Sequence, residues 1–116
     1  MHVLVRTWKQ RFGAQKARCV FAGAADKALD EVLELLSPIV GEWILPPVAS
    51  PRILPAAEMA EKVRAHSEAP LRLTSTLPEA LEPSETPTLV CGSFFLLGEA
   101  SAHLRGAAAA YYTTAQ

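Results

Sequence analysis

Two short stretches of this sequence combine a glycine with groups that can hold an anion. In "PTLVCGSFF" an apolar run stops at Gly92-Ser93 before apolar residues resume at helical spacing. In "CVFAGAADKA" a similar run stops at Gly23 and leads into Asp26 and Lys27. Glycine admits a tight turn or a close approach of backbone to ligand. A serine at the start of a helix sets a hydroxyl beside backbone N–H groups without helical partners, which suits a carboxylate or a phosphate. Lys27 adds a mobile cation, and Arg52, in "SPR", carries a fork that can grip a carboxylate at two points. Each residue also has a purely structural reading. Ser93 and Asp26 can simply cap helices, Gly92 can serve the turn, and Lys27 can be a solvated surface residue. Turns between strands and helices use these residue types routinely, so spacing alone favours the structural readings.

Other chemistries are absent from the sequence. It has no G-x-x-x-x-G-K-[ST] phosphate loop and no G-x-G-x-x-G dinucleotide fingerprint. "CGSFF" lacks the second glycine of a nucleophile elbow. Glu31 and Glu34 read as the solvated face of an amphipathic helix rather than a catalytic pair. Cys19 and Cys91 sit in apolar runs and form no C-x-x-C pair, so they read as buried free thiols. His2, His66 and His103 are far apart and show no metal-ligand spacing, so no metal site is assigned. The 11 Lys and Arg residues nearly balance 12 Asp and Glu. Without a basic excess, no nucleic-acid or anionic-membrane surface is expected. No segment approaches the roughly 20 apolar residues of a membrane span, and the start lacks a secretory signal. A cytoplasmic protein is expected.

The elements that must position these residues follow from periodicity. At 116 residues, half of them hydrophobic, the chain has material for one domain. Leu4, Trp8 and Phe12 mark a helix face that Gly13 terminates. "ARCVFAG" is a strand. Leu29, Val32, Leu33, Leu36 and Val40 mark a second helix, capped by Asp26 and disturbed by Pro38. "EWILPPV" is the next strand. The helix after it has Pro55 in its first turn and turns Met59, Ala60 and Val63 inward. "PLRLTS" is a third strand, and Thr76 with Glu79 has capping-box spacing for a brief helix ending at Pro83. "PTLVCGS" is the fourth strand. A final helix runs from about Phe95 toward Ala109, and the tail over 107–116 is expected to fray. The alternation predicts an α/β domain, with a mainly parallel sheet between two helical layers and "CVFAG" and "LVCGS" near its centre. In such sheets ligands bind beyond the carboxyl ends of the strands, which is where Gly23–Lys27 and Gly92-Ser93 fall. The chain opens with a helix, as if the strand before it were missing.

Taken in order, "RCVFAGAADKALDEVLELLSPIVGEWILPPVASPR", "STLPEAL" and "LVCGSFFLLGEA" resemble the C-terminal domain of folylpolyglutamate synthase/dihydrofolate synthase, of the Mur-ligase superfamily. The resemblance lies in a glycine-ended strand before an Asp-Lys helix start, a tryptophan strand running into prolines, a Pro-Arg loop, and a Gly-Ser-aromatic turn before the last helix. It covers about Val3 to Arg105.

The resemblance implies a Rossmann-like three-layer sandwich without the family's first strand, and an ATP-dependent amide ligase. In that family ATP phosphorylates a carboxylate of a folate or pteroate acceptor, and the amino group of L-glutamate attacks the acyl phosphate. ATP and Mg²⁺ are held mainly by an N-terminal P-loop domain, which is the implied partner and is absent from this chain. Ser93 matches the family's serine near the glutamate, with Gly92 beside it. Asp26, Lys27 and Arg52 match positions facing the interdomain cleft. The family's first strand carries an Asp and a His that contact ATP, and neither is present. Phe95 stands where some members have a histidine. The resemblance therefore implies that residues 1–116 are one C-terminal domain, inactive alone, and that the missing strand leaves its neighbours' edges unpaired. Two alternatives stay open: another Mur-type amino-acid ligase, and a non-catalytic α/β interaction module in which the Gly-Ser turn is structural.

Overall fold

The computed structural model describes residues 2–26, 28–48, 50–92, 94–104 and 112–115. The first helix, α1 (His2–Phe12), buries Trp8. It ends at Gly13, whose N–H donates to the Lys9 carbonyl at 2.9 Å and whose φ is 60°, a left-handed stop that glycine adopts without a Cβ clash. Strand β1 (Ala17–Ala22) follows, then α2 (Leu29–Leu36), whose Leu29, Leu33 and Leu36 face the core. Pro38 does not fray the end of α2. The chain tightens there into a 3₁₀ turn over Ser37–Ile39 and enters β2 (Val40–Leu45) directly. Val40 is thus a strand residue rather than the last of a helix face.

Helix α3 (Ala56–Arg64) starts after Pro55 and buries Met59, Ala60 and Val63, as the periodicity requires. Strand β3 (Leu71–Leu73) leads to the four-residue α4 (Leu77–Ala80). The Thr76 Oγ1 accepts from the Glu79 N–H at 3.3 Å, the backbone half of the expected capping box. Helix α4 ends at Ala80, short of Pro83. Strand β4 (Thr88–Gly92) and α5 (Phe94–Leu104) complete the expected elements. The expected extension of α5 toward Ala109 lies outside the described residues. The expected fraying of residues 107–116 does not hold at Tyr112–Ala115, which form a fifth strand, β5, in parallel register with Thr88–Cys91 of β4.

The sheet is wholly parallel, in the order β3-β2-β1-β4-β5. Side chains alternate between its faces. Cys19, Phe21, Trp43, Leu45, Leu89 and Cys91 pack with α1, α2 and α3, while Val20, Ala22, Ile44 and Val90 pack with α4 and α5. Two apolar cores on opposite faces make the three-layer α/β sandwich. Strand β1 lies between β2 and β4 and is buried at all six residues, so both strands expected at the centre are central and adjacent. They pair directly over Arg18–Ala22 and Thr88–Gly92. The sheet's outer strands are β3 and β5.

The chain builds outward from β1 to β2 and β3 with its helices on one face. It then returns past β1 to β4 and β5 with its helices on the other. Right-handed crossovers require that change of face when the direction of travel reverses. The reversal falls between β1 and β4.

Candidate functional site at the strand-order reversal

At the carboxyl ends of β1 and β4 the two connections diverge, one toward α2 and one toward α5, and open a cleft of about 150 Å³. Phe21, Leu29 and Val32 wall it, Gly23 and Gly92 contribute backbone, and Ala24, Asp26 and Ala28 form the rim. Phe21 is held in place by edge-on packing against Trp43, with ring centroids 5.9 Å apart.

Gly92 has φ 125°, and a Cβ built on it would lie 1.9 Å from the Ala22 carbonyl oxygen. The glycine is therefore demanded by the close approach of β4 to β1, which forms the back of the cleft. Asp26 does not cap α2 in the expected way. The helix begins three residues later, at Leu29, and the Asp26 Oδ1 instead accepts the Ala28 N–H at 2.9 Å in a turn ahead of the helix. Asp26 is exposed and lines the cleft. Ser93 and Lys27 lie outside the described residues.

Arg52 sits on the β2–α3 connection, on an open groove of about 430 Å³ that adjoins the cleft at Ala24. The Leu54 N–H donates to the Gly23 carbonyl at 2.9 Å and ties this connection to the one after β1. The structure thus gathers Asp26, Gly92 and Arg52 at one end of the sheet. Sequence reasoning missed Phe21, Leu29 and Val32 as cleft walls. They carry no signal beyond core hydrophobicity, because only the strand order turns the ends of a strand and a helix into a wall.

A wider groove of about 580 Å³ lies at the opposite, amino-terminal ends of β1–β3, where Ser37, Ser67 and His66 are engaged with other groups. Ser37 Oγ donates to the carbonyls of Leu33 and His66, Ser67 Oγ accepts from Trp43 Nε1, and His66 Nε2 lies 2.9 Å from Asp30 Oδ1. His66 is accordingly a partner in a surface ion pair. The hydrogen bond from His66 holds the Asp30 carboxyl below its ordinary value of 3.8, with Lys62 contributing. Among the described residues no group of three His, Cys, Asp or Glu side chains could hold a metal ion. With no phosphate loop in the sequence either, the described residues do not by themselves make a Mg²⁺–ATP site. No helix among the described residues is long and apolar enough to cross a membrane.

A parallel sheet with helices on both faces and a cleft at the reversal of strand order defines a doubly wound α/β domain, the class that binds ligands at that point. Solved structures of folylpolyglutamate synthase share this fold. The Helicobacter pylori enzyme superposes with a TM-score of 0.74 at 16% identity, over 91% of this chain and 26% of its own. The Mycobacterium tuberculosis enzyme complexed with ADP and AMPPCP gives 0.73 at 19% identity, over 88% of this chain and 26% of its own. Its ADP complex gives 0.62 at 22% identity, over 70% and 18%. The chain therefore spans about a quarter or less of the proteins it matches, and the likeness is one of fold. No protein-family profile matches the chain, and no curated protein does.

Proposed function

We propose that this chain is the C-terminal domain of an ATP-dependent amide ligase that adds L-glutamate to a folate or dihydropteroate acceptor. The observation that carries this reading is the cleft between β1 and β4, built from the Gly23–Asp26 turn and Gly92, on a fold shared with three folylpolyglutamate synthase structures. In this reading the terminal phosphoryl group of ATP passes to an acceptor carboxylate. The glutamate amine attacks the resulting acyl phosphate, and the amide forms as phosphate leaves. The P-loop domain of the same protein binds ATP and Mg²⁺. This domain closes over them and presents glutamate, so its contribution is positioning rather than bond chemistry. Alone it turns nothing over. The enzyme works in the cytoplasm.

The test is ADP release by the full-length protein carrying this domain, with acceptor and amino acid varied separately. The expected result is ADP formed in step with the amide, and only when ATP, a folate-type acceptor and L-glutamate are all present. ADP release indifferent to glutamate rejects the folate reading. Dependence on a different amino acid or acceptor assigns the domain to another Mur-type ligase, and no release under any combination leaves an interaction module.

A further inference from the structure

Charge is segregated along this chain. Arg6, Lys9, Arg11, Lys16 and Arg18, five of its 11 basic residues, fall in the first 18 positions, and none of its 12 acidic residues does. Three of the five lie on α1, where Arg6, Lys9 and Arg11 are all exposed. Among the described residues the one ion pair is His66 with Asp30, so these three cations face no carboxylate at salt-bridge distance there. Helix α2 packs beside α1 on the same face of the sheet and is its opposite in charge. It contains no basic residue, and its Asp30, Glu31 and Glu34 are exposed.

Both sets of charges lie away from the core. Leu4, Trp8 and Phe12 turn α1 inward, which leaves Val3, Arg6, Thr7 and Gln10, at spacings of three and four, along its outer face. Val3 is 68% exposed, the more exposed of two such large hydrophobics on the described surface. On α2, Leu29, Leu33 and Leu36 face the core, while Glu31, Glu34 and the half-buried Leu35 share the outer side.

A basic helix beside an acidic one makes a self-complementary face. A two-fold axis running along the groove between them lays α1 of one copy on α2 of the other, and α2 on α1, in an isologous contact. A broad polyanion, lipid or nucleic acid, has no such match, because lying on α1 it also meets the acidic α2. We propose that the α1–α2 face docks a second copy of this chain, with Arg6 and Lys9 of each copy set against Glu31 and Glu34 of the other and Val3 covered between them. Exposed ion pairs contribute little each, and two short helices bury less than a standard interface. The dimer is therefore weak, with a dissociation constant of about 0.1–1 mM, and sensitive to salt. It stands independently of the ligase reading.

The test is sedimentation equilibrium of the 116-residue chain at concentrations up to about 1 mM. A reversible monomer–dimer equilibrium is expected, weakened about tenfold or more when NaCl rises from about 0.05 to about 0.5 M. Two charge reversals then locate the contact, each on exposed residues that leave the core intact. The first joins Arg6→Glu to Lys9→Glu, and the second joins Glu31→Lys to Glu34→Lys. Each variant alone sets like charges together and should stay monomeric with an unchanged circular dichroism spectrum. Mixed in equal amounts, the two restore both contacts and should form a heterodimer, and all four changes in one chain should restore the homodimer. The proposal is overturned if the parent is monomeric throughout the range or if its association ignores salt. It is equally overturned if either reversed variant dimerises as the parent does, or if the mixture stays monomeric.

Discussion

Gly92 shows how one residue can look like a ligand contact and be required by the backbone. Its sequence context, a glycine before a serine at the end of an apolar strand, fits either role. The geometry supplies the reason for glycine, because any Cβ would overlap the Ala22 carbonyl at a backbone conformation that side chains rarely adopt. Gly92→Ala should cost about 3 kcal/mol or more through strain and displacement of β4 from β1, read as a lowered urea midpoint. A midpoint within error of the parent would mean that β4 does not approach β1 this closely. Asp30 offers a test of the surface electrostatics. Its carboxyl is held below the ordinary value by His66, so the folded state favours the ionised form. That contribution is fully present above the ordinary carboxylate value and is lost as pH falls through the lower folded value. Between pH 5 and pH 2 the parent should lose more stability than Asp30→Asn, and parallel curves would show that the pair contributes nothing.

At the scale of elements, the caps and stops follow local chemistry where the chain has room for only one solution. Gly13 ends α1 because it reaches the left-handed conformation without a Cβ penalty, and Pro55 precedes α3 because its fixed φ and missing N–H suit a helix start. Helix α4 depends on its cap more than the others do. With four residues it cannot form a stable helix by propagation, and the Thr76 hydroxyl satisfies one of its free N–H groups. Thr76→Ala should therefore cost about 0.5–2 kcal/mol, near the lower end given the 3.3 Å bond. The loss should appear as faster amide exchange in Leu77–Leu81, and unchanged exchange there would assign the stability of α4 to its packing. Asp26 shows the opposite case. A capping residue before an apolar period was legible, but the turn that places it two residues ahead of the cap position, Ala28, depends on where β1 ends.

For the whole molecule, the central pair of strands sets both the core and the site. Cys19 and Cys91 are fully buried on adjacent strands with their sulfurs 3.9 Å apart. The register keeps them apart as covalent partners. Cys19 lies opposite Leu89, and Cys91 lies opposite Phe21. That two-residue offset puts their Cα atoms about 8 Å apart by ordinary strand spacings, beyond what a disulfide spans without backbone movement. Burial, with a further push from Cys91, raises the Cys19 thiol well above its ordinary range, which suppresses the reactive thiolate. Both thiols should thus react with an aromatic disulfide reagent only at the rate of global opening, rising with urea as the unfolded fraction does. Fast labelling in native buffer would show that the β1–β4 core opens locally.

The periodicity of apolar residues determined most elements, their order and which helix faces turn inward, because burial at helical and strand spacing is a local pattern. The same pattern marked the two strands that end in glycine, and their apolar character placed them at the centre of a parallel sheet. Only the tertiary structure decided that β1 and β4 are neighbours and that β5 pairs beside β4. It alone set the walls Phe21, Leu29 and Val32 around one cleft and brought Arg52 next to it across Ala24. Those facts depend on strand order, a contest among pairings between residues far apart in the chain, as for Cys19 and Cys91, 72 positions apart. No local pattern encodes the outcome of that contest. It is settled by which arrangement buries both faces of every central strand at once.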